Sequence, residues 1–197
     1  IGYKAHDRII NVCEQMEMPP RLLEIFRNCI LDANYVHFGF EENQNTSLYK
    51  VYVEFWNSIR EELKKSNNVS SKSYLMHLGF KWDAFNPAKQ TIARYIWHPW
   101  LSMDEILDKV QKMCDASSRL HIIDAAKEML SLSSARMPQK DILYLEVSED
   151  NNPRKSFDIN IYRGGFQVGE FYQLLTRMAQ YYDISHGDFH HLYRRIW

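Results

Sequence analysis

The 197-residue chain contains no apolar run near the roughly 20 residues that a membrane-spanning helix requires. It has no basic start followed by an apolar stretch of the kind a signal peptide shows. Cysteine is scarce: three residues, an odd and widely spaced set, make no disulfide framework. Charge of one sign is not in excess either. The 24 basic and 25 acidic side chains leave a net charge of −1, so there is no field for a nucleic-acid backbone and no acidic tail. No GxGxxG, no Walker loop and no HExxH helix occurs. Glycine numbers only seven, and Gly164-Gly165 reads as a strand-to-helix turn rather than a phosphate cradle.

What the chain does have is core material. It is 45% hydrophobic and 14% aromatic, which excludes disorder. The expectation is one domain over residues 1–197, truncated at one or both ends, since it starts at Ile1 rather than Met and stops at Trp197. Cys13, Cys29 and Cys114 each share a helical stripe with apolar neighbours and should behave as small core hydrophobes. A reducing, cytoplasmic setting fits unpaired thiols.

Periodicity alternates between two templates. Residues 4–17 and 20–32 read as amphipathic helices separated by Pro19-Pro20, proline being well tolerated where a helix begins. Residues 35–41 and 48–55 then alternate with period two around a polar, Asn-rich tip at 42–46, a hairpin pattern. A helix near 56–66 and a Ser/Asn-rich loop at 66–73 follow. A second hairpin pairs 74–82 with 91–97. Ser102 and Glu105 form a capping box that opens a helix over 102–115. A helix near 118–133, a third hairpin pairing 141–148 with 156–163 across the tip 149–153, and helices near 168–182 and 187–196 complete the chain. The order ααββ, αββ, ααββ, αα is a degenerate internal repeat.

In a strand, residues two apart share a face. His37, Gly39 and Glu41 oppose Val36, Phe38 and Phe40; Lys50, Tyr52 and Glu54 oppose Val51, Val53 and Phe55. His77, Gly79 and Lys81 oppose Met76, Leu78 and Phe80, while Arg94 and His98 oppose Ala93, Tyr95 and Trp97. Tyr144, Glu146 and Ser148 oppose Leu143, Leu145 and Val147; Asp158, Asn160 and Tyr162 oppose Phe157, Ile159 and Ile161. The predicted class is α+β: an antiparallel sheet of repeated αββα units, with helices covering the apolar face. Phe38, Val51, Leu78, Leu145 and Ile159 should be buried. The polar face either meets water across an open sheet or lines the lumen of a partial barrel.

This pattern resembles the ABBA aromatic prenyltransferases. The matching stretches are Val36–Glu41 with Tyr49–Glu54, Met76–Trp82 with Ile92–His98, and Leu143–Ser148 with Phe157–Tyr162, and Tyr49-Lys50-Val51-Tyr52 is similar to that family's Lys-x-Tyr strand ends. The resemblance implies a ten-stranded barrel whose cations hold an allylic diphosphate while tyrosines shield the carbocation. It points to Lys50, Tyr52, Lys81, Arg94, Tyr144 and Tyr162 as substrate-binding residues. The function implied is transfer of a prenyl group to an aromatic acceptor, with a small-molecule diphosphate and that acceptor as partners. The third hairpin departs from the pattern, with Asp158 and Asn160 where a cation is expected.

The residue chemistry is compatible with that picture. Lysine and arginine on one face hold a diphosphate by charge-assisted hydrogen bonds, and tyrosine faces stabilise a cation. Glu41, Glu54 and Glu146 are candidate general bases for a phenol or indole acceptor. The plainer alternative makes Lys50–Glu54 and Lys81–Glu41 ordinary cross-strand ion pairs on a half-exposed sheet. On that alternative the chain is a non-catalytic ligand-binding protein or a subunit that docks on a protein partner. No cofactor is required, and the aspartate-rich DDxxD motif of trans-prenyl synthases is absent, so magnesium would enter only through a diphosphate. Trp56, Trp82, Trp97 and Trp100 gather at strand ends, where they plug sheet–helix seams or line an apolar pocket. His186 and His190 form an i,i+4 pair beside Asp188 and His191, read first as the polar start of a helix and only second as a metal site.

Overall fold

A computed structural model describes residues 3–43, 46–65, 72–114 and 119–196. The hairpin tip at 44–45, most of the loop predicted at 66–73 and the helix ends predicted at 115 and 118 lie outside the described residues. Helices α1 (Tyr3–Gln15) and α2 (Pro20–Cys29) lead into strands β1 (Tyr35–Asn43) and β2 (Thr46–Glu54). Helix α3 (Trp56–Lys65), strands β3 (Tyr74–Asp83) and β4 (Gln90–Trp97), and helices α4 (Met103–Met113) and α5 (Arg119–Ser134) follow. Strands β5 (Leu143–Glu149) and β6 (Asn152–Asn160) precede helices α6 (Tyr172–Tyr181) and α7 (His186–Ile196).

The strands form one six-stranded sheet in sequence order, and every pair from β1 to β5 is antiparallel. It is α+β, and it is open, with β1 and β6 as its edges. The closed-barrel option fails because, among the described residues, β1 and β6 do not pair with each other.

The chain divides into two compact units, Ile1–His98 with Leu145–Phe157, and Pro99–Tyr144 with Asp158–Trp197. In the first unit, the predicted role of proline is met, since Pro20 sits in the first turn of α2. Cys13, Met18, Leu22, Phe26 and Ile30 from α1, α2 and the turns after them pack on Val51, Val53, Leu78, Phe80, Trp82 and Ile92 of β2–β4. Phe26 meets Phe80 edge to face at 5.5 Å, a favoured geometry for ring quadrupoles. The indole N–H of Trp82 donates to the carbonyl of Met16 at 3.1 Å, so the largest buried ring pays no unsatisfied polar group. Burial pushes the Cys13 thiol up to about 12, which keeps it protonated and inert, as its stripe position predicts.

Three strand assignments need correction. The register pairs Leu78 with Arg94 and Gly79 with Ala93, so Arg94 stands on the helix-covered face and Ala93 and Tyr95 stand on the polar one. The same ladder pairs Tyr95 with Val147 and Ile96 with Glu146, which puts Leu145 and Val147 on the polar side and Glu146 on the other. The cause is composition. Strand β4 carries large apolar residues on both faces, so alternation alone does not orient it. Val51, Leu78 and Leu145 are buried as expected, but Phe38 is 45% exposed because its strand is an edge, and Ile159 is only partly buried. Finally, β6 ends at Asn160 and Tyr162 falls in a short 3-10 turn, 64% exposed. The tip of this hairpin is just Asp150-Asn151, with Asn151 at φ 59°, a left-handed conformation that asparagine tolerates.

The second unit is chiefly helical. Ile106 and Val110 of α4, Ile123, Ala126 and Leu130 of α5, and Leu174 and Ala179 of α6 are buried. The capping box at Ser102 and Glu105 is formed as predicted, with the Glu105 N–H donating to Ser102 Oγ at 3.2 Å and the Ser102 N–H to Glu105 Oε2 at 2.7 Å. Among the described residues no helix is long and apolar enough to cross a membrane.

Candidate functional site

On the sheet face opposite α1 and α2, cross-strand register places side chains in rows. Lys50 of β2 lies directly opposite Lys81 of β3, and Tyr52 lies opposite Gly79. Glu54 lies opposite His77 in the next row, and His77 opposite Tyr95 of β4. Glu41 of β1 and Glu149 of β5 flank the lysines, Glu41 bonded to Lys50 and Glu149 to Lys81. Alternation with period two therefore brings five predicted residues, Glu41, Lys50, Tyr52, Glu54 and Lys81, to one surface.

Gly79 is required there. A Cβ at this position would lie 2.7 Å from Cε1 of Tyr52, so the absence of a side chain lets the Tyr52 ring lie against the backbone. Ala93, the other small residue of this row, is fully buried. The Tyr52 ring meets that of Tyr95 edge to face at 6.0 Å, and Tyr95 meets His77 at 5.8 Å in the same manner. The outcome is an aromatic platform next to a pair of ammonium groups.

The electrostatics follow from the pairing. The side chains of Lys50 and Lys81 are each only 20% exposed, so two like charges facing one another need counter-charges close by. The Glu41 hydrogen bond raises the Lys50 ammonium's pKa, with burial working against it. The Lys50 hydrogen bond in turn lowers the Glu41 carboxyl. Glu149 is lowered chiefly by its hydrogen bond from Lys81, against an opposing effect of burial. Glu54 accepts from Asn34 Nδ2 at 3.2 Å and stands 4.0 Å from His77 Nδ1. Burial lowers the His77 imidazole more than Glu54 raises it, so this ring favours the neutral form. The ion pairs differ from the ones expected: Lys50 takes Glu41 rather than Glu54, and Lys81 takes Glu149 rather than Glu41.

The remaining predicted residues lie elsewhere. Arg94 points to the other side and binds Asp150, which Arg21 of α2 also approaches at 3.5 Å. Glu146 is on that same side of β5, 3.5 Å from His98, and Tyr144 two residues earlier is fully buried. Tyr162 is outside the sheet. In their place the structure adds Glu149 and Tyr95. Glu149 was not legible, because it falls within the predicted tip at 149–153, whereas the hairpin closes over Asp150-Asn151 alone. Tyr95 carried no signal either, standing between Arg94 and Ile96 on a strand with large apolar residues on both faces.

Of the tryptophans, Trp97 is buried between Trp56 at 5.4 Å and Tyr74 at 6.1 Å, plugging a strand end rather than opening a pocket. Comparison of the chain with protein-family models, with curated proteins and with solved structures finds no match.

Proposed function

We propose that the polar sheet face binds a small organic diphosphate, its anionic head on Lys50 and Lys81 and its body on Tyr52 and Tyr95. The observation that carries this is the direct cross-strand opposition of the two lysines beside the aromatic platform. A diphosphate offers oxygens to both ammonium groups at once, which relieves their mutual repulsion better than two separate carboxylates. Glu41 is the ligand's competitor for Lys50. Its side chain is 53% exposed and free to swing into water, so exchanging one anion for another on the same ammonium costs little.

The likeness to ABBA transferases extends this to catalysis, and the Glu54 carboxylate on the same face favours the extension. In that chemistry the allylic C–O bond breaks with the electron pair leaving on diphosphate. The aromatic acceptor's π electrons form the new C–C bond, and the acceptor's ring proton passes to a carboxylate base, here Glu54. Magnesium would travel with the diphosphate. The repeated αββα arrangement belongs to the same reading, and an open sheet then needs a cover over the face to keep water from the cation.

Titration calorimetry with inorganic diphosphate and with dimethylallyl diphosphate tests the binding role. Lys50→Ala and Lys81→Ala should each weaken binding by about 1.5–3 kcal/mol, the range for a hydrogen bond to a charged group. Arg94→Ala, on the other face, should leave it unchanged. Equal loss in all three variants, or none in any, contradicts the assignment. Mass spectrometry after incubation with an allylic diphosphate and phenol or indole acceptors tests the transfer step separately.

A further inference from the structure

The second unit holds a separate pair of side chains suited to a metal ion. His186 and His190 stand one turn apart on α7, and their Nε2 atoms approach to 3.0 Å. Their position is set by structure around them. Ser185 Oγ accepts the Asp188 N–H at 3.1 Å and donates to Asp188 Oδ2 at 2.7 Å, fixing the first turn of α7 and with it His186. From α6, the Tyr172 hydroxyl lies 3.3 Å from His190 Nε2, while its ring packs on Phe189 and Tyr193. Both imidazoles border an open cleft of about 590 Å³, also lined by His191, Arg194 and Arg195.

We propose that His186 and His190 chelate a late first-row divalent ion, copper(II) foremost. Two imidazole nitrogens, each about 2.05 Å from one ion, are about 2.9 Å apart at a right angle and about 3.3 Å apart at the tetrahedral angle. The observed 3.0 Å is close to the first value, the cis positions of a tetragonal centre. At this distance one ring donates its Nε2–H to the other. On metal binding that proton moves to the same ring's Nδ1 and the Tyr172 hydroxyl gives up its contact with His190 Nε2, which frees both lone pairs without oxidation or reduction. Among the described residues no group of three or more His, Cys, Asp and Glu is placed to hold an ion. Because both imidazoles border the cleft, the other coordination positions open to it, where Arg194 and Arg195 favour a small anion or water as co-ligand. Copper(II) is favoured among the candidates because nitrogen sites bind it most tightly in the first-row order.

The test uses the untagged chain, titrated with Cu²⁺ by calorimetry and followed by electron paramagnetic resonance. One equivalent should bind, with hyperfine structure from two equatorial nitrogens. His186→Ala and His190→Ala should each weaken binding at least about tenfold and leave one nitrogen, a loss in line with disturbed metal sites generally. His191→Ala should keep affinity and spectrum. Circular dichroism checks the fold, and His186, exposed at the helix start, provides a variant that spares packing. An unchanged spectrum and affinity in the double variant, or no saturable binding by the parent chain, overturns the proposal.

Discussion

Strands β2 and β3 and strands β4 and β5 are neighbours in one sheet, yet they use their faces differently. In β2 and β3 the helix side carries Val51, Val53, Leu78 and Phe80, and the other side carries Lys50, Tyr52, His77 and Lys81. In β4 and β5 apolar residues occupy both sides: Ile92 and Ile96 on one, Ala93, Tyr95, Leu145 and Val147 on the other. The first pair has a solvated polar face that is available for chemistry. The second pair is buried almost through its thickness, and its polar residues, Arg94 and Glu146, are held by partners at the margins. A polar face is thus a property of part of this sheet. It begins at β1, ends at the Tyr95 row of β4, and its last charged member is Glu149 at the end of β5.

The contrast is open to direct attack. The largest effect is expected from Phe80→Ala, because Phe80 is fully buried against Phe26. Removing it should cost about 3–5 kcal/mol in urea unfolding. Leu145→Ala probes the other pair: since Leu145 is buried on the side opposite Glu146, it should cost about 2–5 kcal/mol. Glu146→Ala should cost clearly less, and a reversal of the two would invert the face assignment of β5.

A smaller effect is expected from Gly79→Ala, whose Cβ collides with Tyr52. Overpacking of this kind costs about 1–3 kcal/mol, and the loss should shrink in a Tyr52→Ala background, as a double-mutant cycle would show. Additive losses would mean that Tyr52 does not rest on Gly79.

The smallest effect concerns the Lys81–Glu149 pair, worth about 1 kcal/mol or less if it behaves as partly exposed pairs do. Its pH dependence is the better readout. The Glu149 carboxyl is lowered in the folded chain from its ordinary value of 4.5. Its contribution is therefore complete above that value and is lost as pH falls through the lowered folded one. The stability difference between the parent and Lys81→Met should be constant near neutrality and close below pH 4.5. A difference that persists in acid would mean that the Lys81 ammonium acts through something other than the ionised Glu149.

Lys50 and Lys81 were legible as members of one face because their strands alternate cleanly, and a charged residue amid valines and phenylalanines has one way to point. Arg94 was not, since the same rule applied to Thr91–Trp97 finds apolar side chains on either side of it. Nor was Glu149, whose place depends on a hairpin closing over two residues rather than five. The His186–His190 spacing was visible, but the convergence of its nitrogens was not, because it depends on rotamers set by Tyr172 on another helix.

Local chemistry, written in the sequence, determined the helices at Pro20 and Ser102, the order of hairpins and helices, and the burial of Cys13. These follow from backbone preference, capping and periodicity, which act over a few residues. Tertiary structure alone decided which face of β4 and β5 meets the helices, whether the sheet closes, and which carboxylate each lysine takes. Those outcomes depend on cross-strand register and on packing between residues far apart in the chain, where a shift of one position sends every side chain to the other side.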